Sequence, residues 1–242
     1  MRIVSLVPSQ TELLFDLGLG ERVVGVTKFC IHPAEARQRA AVVGGTKNFD
    51  FEKIATLQPD LILGNKEENY QEGIERLAAA YPVWISDIAT LPDALAMIRQ
   101  VGRLTGTTDC ANVLAAEIEE SFASLVAAQP PIPTAYFIWR KPYMVAAADT
   151  FIDDMLRRAG FANVFAGQQR YPEVTPAQLT AAQPQQILLS SEPYPFRDKH
   201  LEEFRTICPA AAVRLVDGEL FSWYGSRLRH SAAYLRQLCA SC

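Results

Sequence analysis

The sequence contains neither a long apolar run nor a basic run, and each absence excludes a class of protein. No stretch of the 242 residues approaches the ~20 apolar residues of a membrane-spanning helix. The net charge is −4 and no basic cluster is present, which argues against nucleic acid as a partner because phosphate binding needs a basic face. With 49% hydrophobic and 21% charged residues, the composition is typical of a globular protein with an ample core.

The first ten residues, MRIVSLVPSQ, have no basic-then-apolar pattern of a secretory leader. Two locations therefore stay open at this point. The protein works in the cytoplasm if the chain is complete as given, and outside it if a leader was removed.

Cysteine, histidine and catalytic motifs are also scarce. Five scattered cysteines make a poor disulfide framework, and the single C-x-x-C of Cys239 and Cys242 favours free thiols over a zinc site. No G-x-S-x-G, H-E-x-x-H or glycine-rich phosphate loop appears, so nothing indicates an enzyme or a cofactor of its own. The acidic pairs 153–154 and 202–203 lie on predicted helices, where neighbours point about 100° apart, and we expect solvated faces there. We expect His200 and His230 on the surface.

One pattern occurs twice in the chain. Residues 13–25 (LLFDLGLGERVVG) match residues 155–167 (MLRRAGFANVFAG), with Leu14, Gly18 and Gly25 each 142 positions before a Leu or Gly. A second match, IATLQPDLIL with LTAAQPQQIL, has an offset of 125, so the first copy carries an insertion of 142 − 125 = 17 residues near 26–45. Such a duplication predicts two similar lobes with a ligand cleft between them.

Strand and helix patterns alternate along the chain, which predicts an α/β fold of two similar Rossmann-like lobes with mostly parallel sheets. Ser9 and Glu12 form a capping-box pattern before the first helix, as do Thr150 and Asp153 before a later one. Residues 109–130 carry an apolar stripe at helical spacing that ends at Pro130. We therefore expect an N-terminal lobe at 1–108, one rigid linking helix at 109–130 and a C-terminal lobe at 131–242, with a largely pre-formed cleft.

Three segments resemble the helical-backbone (class III) substrate-binding proteins of ABC importers. They are RIVSLVPSQTELLFDLGLGERVVGVTKFC (2–30), VVGGTKNFDFEKIATLQPDLIL (42–63) and LSSEPYPFRDKHLEEF (189–204). The resemblance covers almost the whole chain. It implies a monomer that holds a corrinoid such as cobalamin, or haem or a ferric siderophore, between its lobes. It also implies delivery of that ligand to an ABC permease and its ATPase, in the periplasm.

Ligands of parallel α/β lobes bind beyond the carboxyl ends of the strands, which points to specific side chains. The candidate ligand-binding residues are Phe29, His32, Trp84, Trp139, Arg140, Tyr171, Trp223 and Arg227. The tryptophans suit a flat macrocycle, although each is equally consistent with packing inside a lobe. His32 is the one candidate metal ligand, through an open axial position, against the alternative of a surface histidine.

The resemblance further implies one acidic docking patch per lobe for the permease. The aligned segments NKEENYQEGIERL and SSEPYPFRDKHLE lead into helices, and the docking candidates in or directly after them are Glu68, Glu72, Glu202 and Glu203. Glu72 and Glu203 are the first choices, with Glu68 and Glu202 next, because the alignment through the helix starts is defined only to about one residue. The alternative is plain helix capping, because acidic side chains are favoured at a helix start.

Two further functions stay open from the residues alone. One is a cytoplasmic metal-cofactor-handling enzyme on the same two lobes, and the other is a cytosolic ligand sensor without a transporter.

Overall fold

The structure is a computed structural model that describes residues 1–240, and it divides into two compact units. Unit 1 comprises 1–88, 92–118 and 223–227, and unit 2 comprises 89–91, 119–222 and the chain from 228 onward. Segment 223–227 thus belongs to unit 1 although its neighbours in sequence belong to unit 2. Segment 89–91 belongs to unit 2 although its neighbours in sequence belong to unit 1. The boundary at 118/119 falls inside a helix.

Unit 1 is built on a five-stranded parallel sheet with strand order β3-β2-β1-β6-β7 and a small antiparallel β4-β5 pair. Its strands are β1 Ile3–Ser5, β2 Val23–Val26, β3 Ala41–Val42, β4 Gly44–Gly45, β5 Asn48–Phe49, β6 Leu61–Asn65 and β7 Val83–Ser86. The helices are α1 Pro8–Asp16, α2 Ala36–Arg39, α3 Phe51–Leu57, α4 Gln71–Ala78, α5 Leu91–Thr105 and α6 Thr108–Ala123, with a 3-10 turn at Gly20–Arg22.

Unit 2 repeats the plan with strand order β10-β8-β11-β12, all parallel, and β9 antiparallel to β8. Its strands are β8 Ile132–Trp139, β9 Met144–Val145, β10 Phe161–Asn163, β11 Gln186–Ser190 and β12 Ala212–Val216. The helices are α7 Phe151–Ala159, α8 Pro176–Ala182, α9 Leu201–Ile207, α10 Glu219–Ser222 and α11 Leu228–Ala240, with a 3-10 turn at Asp198–His200. No helix among residues 1–240 is both long and apolar enough to cross a membrane.

The predicted α/β fold and the duplication are confirmed in the backbone. Helices α3 and α8 each have seven residues, end at a left-handed glutamine (Gln58, φ 46°; Gln183, φ 48°) and lead into a fully buried strand, β6 or β11. Gly18 (φ 75°) and Gly160 (φ 87°) likewise follow α1 and α7 in the left-handed region that glycine favours.

The third glycine pair of the duplication does not correspond in structure. Gly25 lies inside β2, where an added Cβ would approach a Leu57 methyl to 2.8 Å, so the strand packs tightly on α3. Gly167 lies outside the strands and would meet nothing within 4 Å. The match of Gly25 with Gly167 is therefore a coincidence of sequence.

The linking helix is shorter than predicted. Helix α6 ends at Ala123 instead of continuing to residue 130. Beyond it the backbone bonds to the end of α7 instead of to itself: Ala128 N donates to Ala159 O (3.3 Å) and Ile132 N to Gly160 O (2.9 Å). The apolar stripe overpredicted the length because these tertiary bonds compete with the helical ones.

The predicted caps are half right. Thr150 accepts a hydrogen bond from Asp153 N (3.1 Å), as expected for α7. At α1, however, the helix begins at Pro8 with Val7 as its N-cap and no capping side chain, so the Ser9–Glu12 capping box is wrong. The Glu12 carboxylate is bound by Arg227 instead.

Candidate functional site

Each parallel sheet has one point at which successive connections leave in opposite directions. In unit 1 this point lies between β1 and β6, because β1 connects to β2 on one side and β6 to β7 on the other. In unit 2 it lies between β8 and β11. Loops diverge there and leave a crevice beyond the carboxyl ends, which is where ligands of α/β sheets bind.

In unit 1 the segment 223–227 lies against the residues that follow β1 and β6. Arg227 donates to both carboxylate oxygens of Glu12, from Nε at 2.9 Å and Nη2 at 2.6 Å, and Tyr224 donates to Glu68 Oε1 at 2.9 Å. Gly225 packs so closely on α1 that an added Cβ would lie 2.5 Å from Ser9 O. The segment therefore occupies this edge of unit 1.

Trp223 is held by its neighbours rather than presented to solvent. Its ring meets the His32 ring edge-on at 5.4 Å, the Arg227 guanidinium lies 4.9 Å over it, and the residue is 6% exposed. The packing alternative for this tryptophan therefore fits its surroundings better than direct ligand contact. His32 is half-buried beside it, and residues 1–240 contain no cluster of three metal-ligating side chains.

The Glu12–Arg227 pair has an unusual electrostatic balance. Burial raises the pKa of Glu12 by more than the hydrogen bonds and charge of Arg227 and the charge of His32 lower it. The pair is well formed but largely removed from water, since the two side chains are 17% and 15% exposed.

Two large apolar side chains in the loop after β2 of unit 1 face solvent. Phe29 is 49% exposed and Ile31 is 41% exposed, and the Lys28 ammonium lies 5.0 Å from the Phe29 ring centroid. The loop position of Phe29 is as predicted from the sequence.

A buried amide and hydroxyl network stiffens this edge, and sequence reasoning missed it. Gln10 Nε2 donates to Ser86 Oγ (2.7 Å), and Asn65 Nδ2 donates to the same oxygen (3.0 Å). Asn69 accepts from Asn65 N (2.8 Å) and donates to Thr46 O (3.0 Å). These residues are far apart in sequence, and none is unusual by itself. The one sequence signal that could have indicated the network is a polar residue at the end of each strand.

In unit 2 the corresponding edge presents an aromatic surface. Trp139 is the last residue of β8 and is 40% exposed. Its ring meets Tyr194 edge-on at 5.6 Å, and Tyr194 N donates to Ile138 O (3.3 Å), which fixes the loop after β11 against β8. The prediction that Trp139 lies at a strand end is confirmed.

Beside Trp139, Arg140 is committed to an internal ion pair. Its Nε and Nη2 lie 2.9 and 2.8 Å from Glu203 Oε2, and Tyr143 donates to Glu203 Oε1. Burial opposes ionisation of Glu203, but the hydrogen bonds from Arg140 and Tyr143 outweigh it and lower its pKa. Burial and the hydrogen bond to Glu203 raise the pKa of Tyr143 to about 12.

His200 is buried, at 5% exposed, which corrects the expectation of a surface histidine. Its Nδ1 accepts from Arg197 N (2.9 Å), so in the neutral ring Nε2 carries the proton and faces the Tyr194 hydroxyl at 3.4 Å. Burial, with the charges of Arg140 and Lys199, lowers its pKa and favours that neutral form. The His200 ring thus packs against Tyr194.

One other candidate lies elsewhere than expected. Trp84 is inside β7, two residues before its carboxyl end, so it is wrong as a strand-end residue. Tyr171 is half-buried in the loop after β10, where its neighbour Arg170 donates to Asp149 O (2.8 Å). The structure therefore gathers Trp139 and Arg140 in unit 2, and His32, Trp223 and Arg227 in unit 1.

Comparison with known proteins identifies the family. A family model described as "Periplasmic binding protein" matches residues 3–213. The chain belongs to the periplasmic binding protein family. As a member of it, the protein is a binding protein and not an enzyme, which confirms that expectation.

Individual relatives of this periplasmic binding protein agree over nearly the whole chain. A vitamin B12-binding protein of Pectobacterium carotovorum subsp. carotovorum (strain PC1) is 28% identical over 248 residues, 99% of this chain and 87% of the relative. A periplasmic heme-binding protein from Roseiflexus sp. RS-1 superposes with a TM-score of 0.81 at 26% identity, covering 99% of this chain and 97% of the other. A vitamin B12-binding protein of Vibrio cholerae has the same fold, with a TM-score of 0.81 at 21% identity, over 99% and 96% of the two chains.

The acidic candidates for docking of this periplasmic binding protein separate into two classes. Glu72 and Glu202 are exposed, and each is the second residue of its helix, α4 or α9. Glu68 and Glu203 are half-buried and bound by Tyr224 and by Arg140 with Tyr143. The equivalent helix positions thus pair Glu72 with Glu202 rather than with Glu203.

Proposed function

We propose that this chain is the substrate-binding protein of an ABC importer and that its ligand is a metal chelate. Corrinoids come first, with haem and ferric siderophores as the other members of the class. The proposal rests above all on Trp139, a large aromatic residue left 40% exposed at the carboxyl edge of unit 2. The vitamin B12-binding and heme-binding relatives of this chain support the same ligand class.

Large apolar side chains are normally buried, and a group of exposed ones marks a binding surface. In unit 1, Phe29 and Ile31 are exposed in the loop after β2. In unit 2, Trp139 is exposed as the last residue of β8, and the carboxyl ends of strands are where α/β proteins bind ligands. A flat macrocycle gains large buried area on such rings, and rigid aromatic side chains lose little entropy on binding it.

The ligand is identified by titrating the purified protein with cyanocobalamin, haemin and a ferric siderophore and recording visible absorption and heat. We expect saturable 1:1 binding of one of the three. If haemin is the ligand, His32→Ala tests axial ligation, because loss of an imidazole ligand shifts the haem absorption bands. Failure of all three ligands to bind overturns the proposal.

We also propose that the protein works outside the cytoplasmic membrane and docks on its permease through Glu72 and Glu202. Both carboxylates are exposed, and Glu202 makes only a long ion pair with Arg205 (3.6 Å). Complementary charges at such a surface chiefly set encounter rate and register.

The test is transport in vesicles that contain the cognate permease and its ATPase. A Glu72→Lys, Glu202→Lys double variant should bind ligand normally and lose transport. A Glu52→Lys, Glu117→Lys double variant is the matched control, because both residues are exposed and the charge change is identical. Unimpaired transport by the first variant would overturn docking through Glu72 and Glu202, whereas absence of transport with the parent protein would favour a cytosolic sensor.

A further inference from the structure

The two units have a second duplicated feature, a short segment that each receives from the other half of the chain. These segments are 223–227 in unit 1 and 89–91 in unit 2. Segment 223–227 belongs to unit 1 although its sequence neighbours belong to unit 2, and segment 89–91 has the reverse relation. Each segment follows the last strand of its half of the chain, β12 or β7. Each also leads directly into a long helix, α11 or α5.

A carboxylate on the first helix of each unit binds the segment at that helix start. In unit 1, Glu12 of α1 receives the bidentate pair from Arg227, one residue before α11. In unit 2, Asp154 of α7 accepts a 2.8 Å hydrogen bond on Oδ2 from the backbone N of Leu91, the first residue of α5. Asp154 is 142 positions after Glu12, the same offset that relates Leu14 to Leu156 and Gly18 to Gly160.

We infer that Glu12 and Asp154 are equivalent anchor residues, each fixing the segment that the chain inserts into that unit from its other half. Neither contact is a chance surface pair. Leu91 is 4% exposed and Asp154 is 5% exposed, so loss of the carboxylate would leave a buried helix-start N–H without its partner. Arg158 holds the same carboxylate from its own helix, with Nε 2.7 Å from Oδ2.

The anchors have a consequence for motion that does not depend on which ligand binds. Between residues 1 and 240 the chain passes five times from one unit to the other, once within α6 and four times at the ends of the two anchored segments. Release of an anchor should free its own segment and leave the other in place.

Hydrogen–deuterium exchange of the ligand-free protein tests this by mass spectrometry of peptides covering 87–93 and 221–229. Asp154→Ala should raise the exchange rate in 89–91 about tenfold and leave 223–227 unchanged. Glu12→Gln should raise the exchange rate in 223–227 and leave 89–91 unchanged. Asp153→Ala is the matched control, because Asp153 is also buried on α7 and also binds Arg157, but has no bond to segment 89–91.

The Asp154→Leu variant, which keeps the side-chain shape but removes both acceptor oxygens, carries the test if the alanine variant does not fold. Equal exchange in the Asp153 and Asp154 variants would overturn the inference. So would acceleration spread evenly over all peptides, which signals global destabilisation, or acceleration of the wrong segment. Because no ligand is present, these outcomes are independent of the proposed function.

Discussion

The carboxyl edges of the two units differ although their backbones follow one plan. In unit 1 the edge between β1 and β6 is lined by a five-residue segment whose tryptophan, Trp223, is 6% exposed. In unit 2 the inserted segment has only three residues, and Trp139 at the end of β8 is 40% exposed. The same residue type is thus buried in one unit and accessible in the other, and only the accessible tryptophan lies at the end of a strand.

The acidic groups show the same contrast. Glu12 and Glu203 each form a bidentate or forked pair with arginine, yet burial raises the pKa of Glu12 whereas hydrogen bonds from Arg140 and Tyr143 lower that of Glu203. The pair in unit 1 lies deeper, so desolvation prevails there. In unit 2 a second donor, Tyr143, adds a hydrogen bond that favours the ionised form of Glu203.

The largest effect expected from this contrast is on stability. Trp223→Ala should lower the free energy of unfolding by about 3–5 kcal/mol, the range for truncating a buried tryptophan. Trp139→Ala should cost about 1 kcal/mol or less, because much of its ring already meets water. Urea denaturation of both variants measures the difference, and equal losses would show that exposure does not separate the two roles.

The prediction for pH follows from the opposite pKa shifts. The folded pKa of Glu203 is below its ordinary value, so its stabilising contribution is full above that value and is lost as the pH falls through the folded pKa. The folded pKa of Glu12 is raised, so its contribution is full at low pH and is lost as the pH rises through the folded pKa.

Unfolding free energies of the parent, Glu203→Gln and Glu12→Gln proteins between about pH 3 and pH 6 test these signs. The advantage of the parent over Glu203→Gln should shrink toward acid pH, whereas its advantage over Glu12→Gln should shrink toward neutral pH. Parallel curves for the two variants would contradict the account of both pairs.

Much of the fold was predictable from the sequence, because local signals agree with the tertiary structure there. The repeated Gln-Pro after α3 and α8 indicated two equal helix-to-strand turns, and both have the same left-handed glutamine. The end of α6 was not predictable, since it depends on hydrogen bonds from 128 and 132 to the end of α7.

The candidate site was predictable only in part. Strand-end reasoning located Trp139, but Asp153 and Asp154, expected on a solvated face, are 6% and 5% exposed. Their partners lie in other elements, Asn163 in β10 and Leu91 at the start of α5, and no local pattern reports such contacts. Cys239, whose thiol donates to Ala159 O, is described, whereas Cys242 of the C-x-x-C lies outside the described residues.

The smallest predicted effect concerns the exposed aromatic residue of unit 1. Phe29→Ala should weaken binding of the identified ligand by about 0.5–1.5 kcal/mol, the extra contribution of an aromatic contact, with little change in stability. Val113→Ala, an apolar residue that is 59% exposed on α6, is the matched control and should bind like the parent. Unchanged affinity of Phe29→Ala would restrict the binding surface to unit 2.

The central claim is that the exposed aromatic edge of unit 2 binds a metal chelate. Isothermal titration of Trp139→Ala against the ligand identified by spectroscopy tests it most directly, with Val126→Ala as control because Val126 is apolar, 84% exposed and comes before the amino end of β8. We predict a loss of about tenfold to a hundredfold in affinity for Trp139→Ala, or ~1–3 kcal/mol, and none for Val126→Ala. Equal affinities of the parent, Trp139→Ala and Val126→Ala proteins would contradict the account.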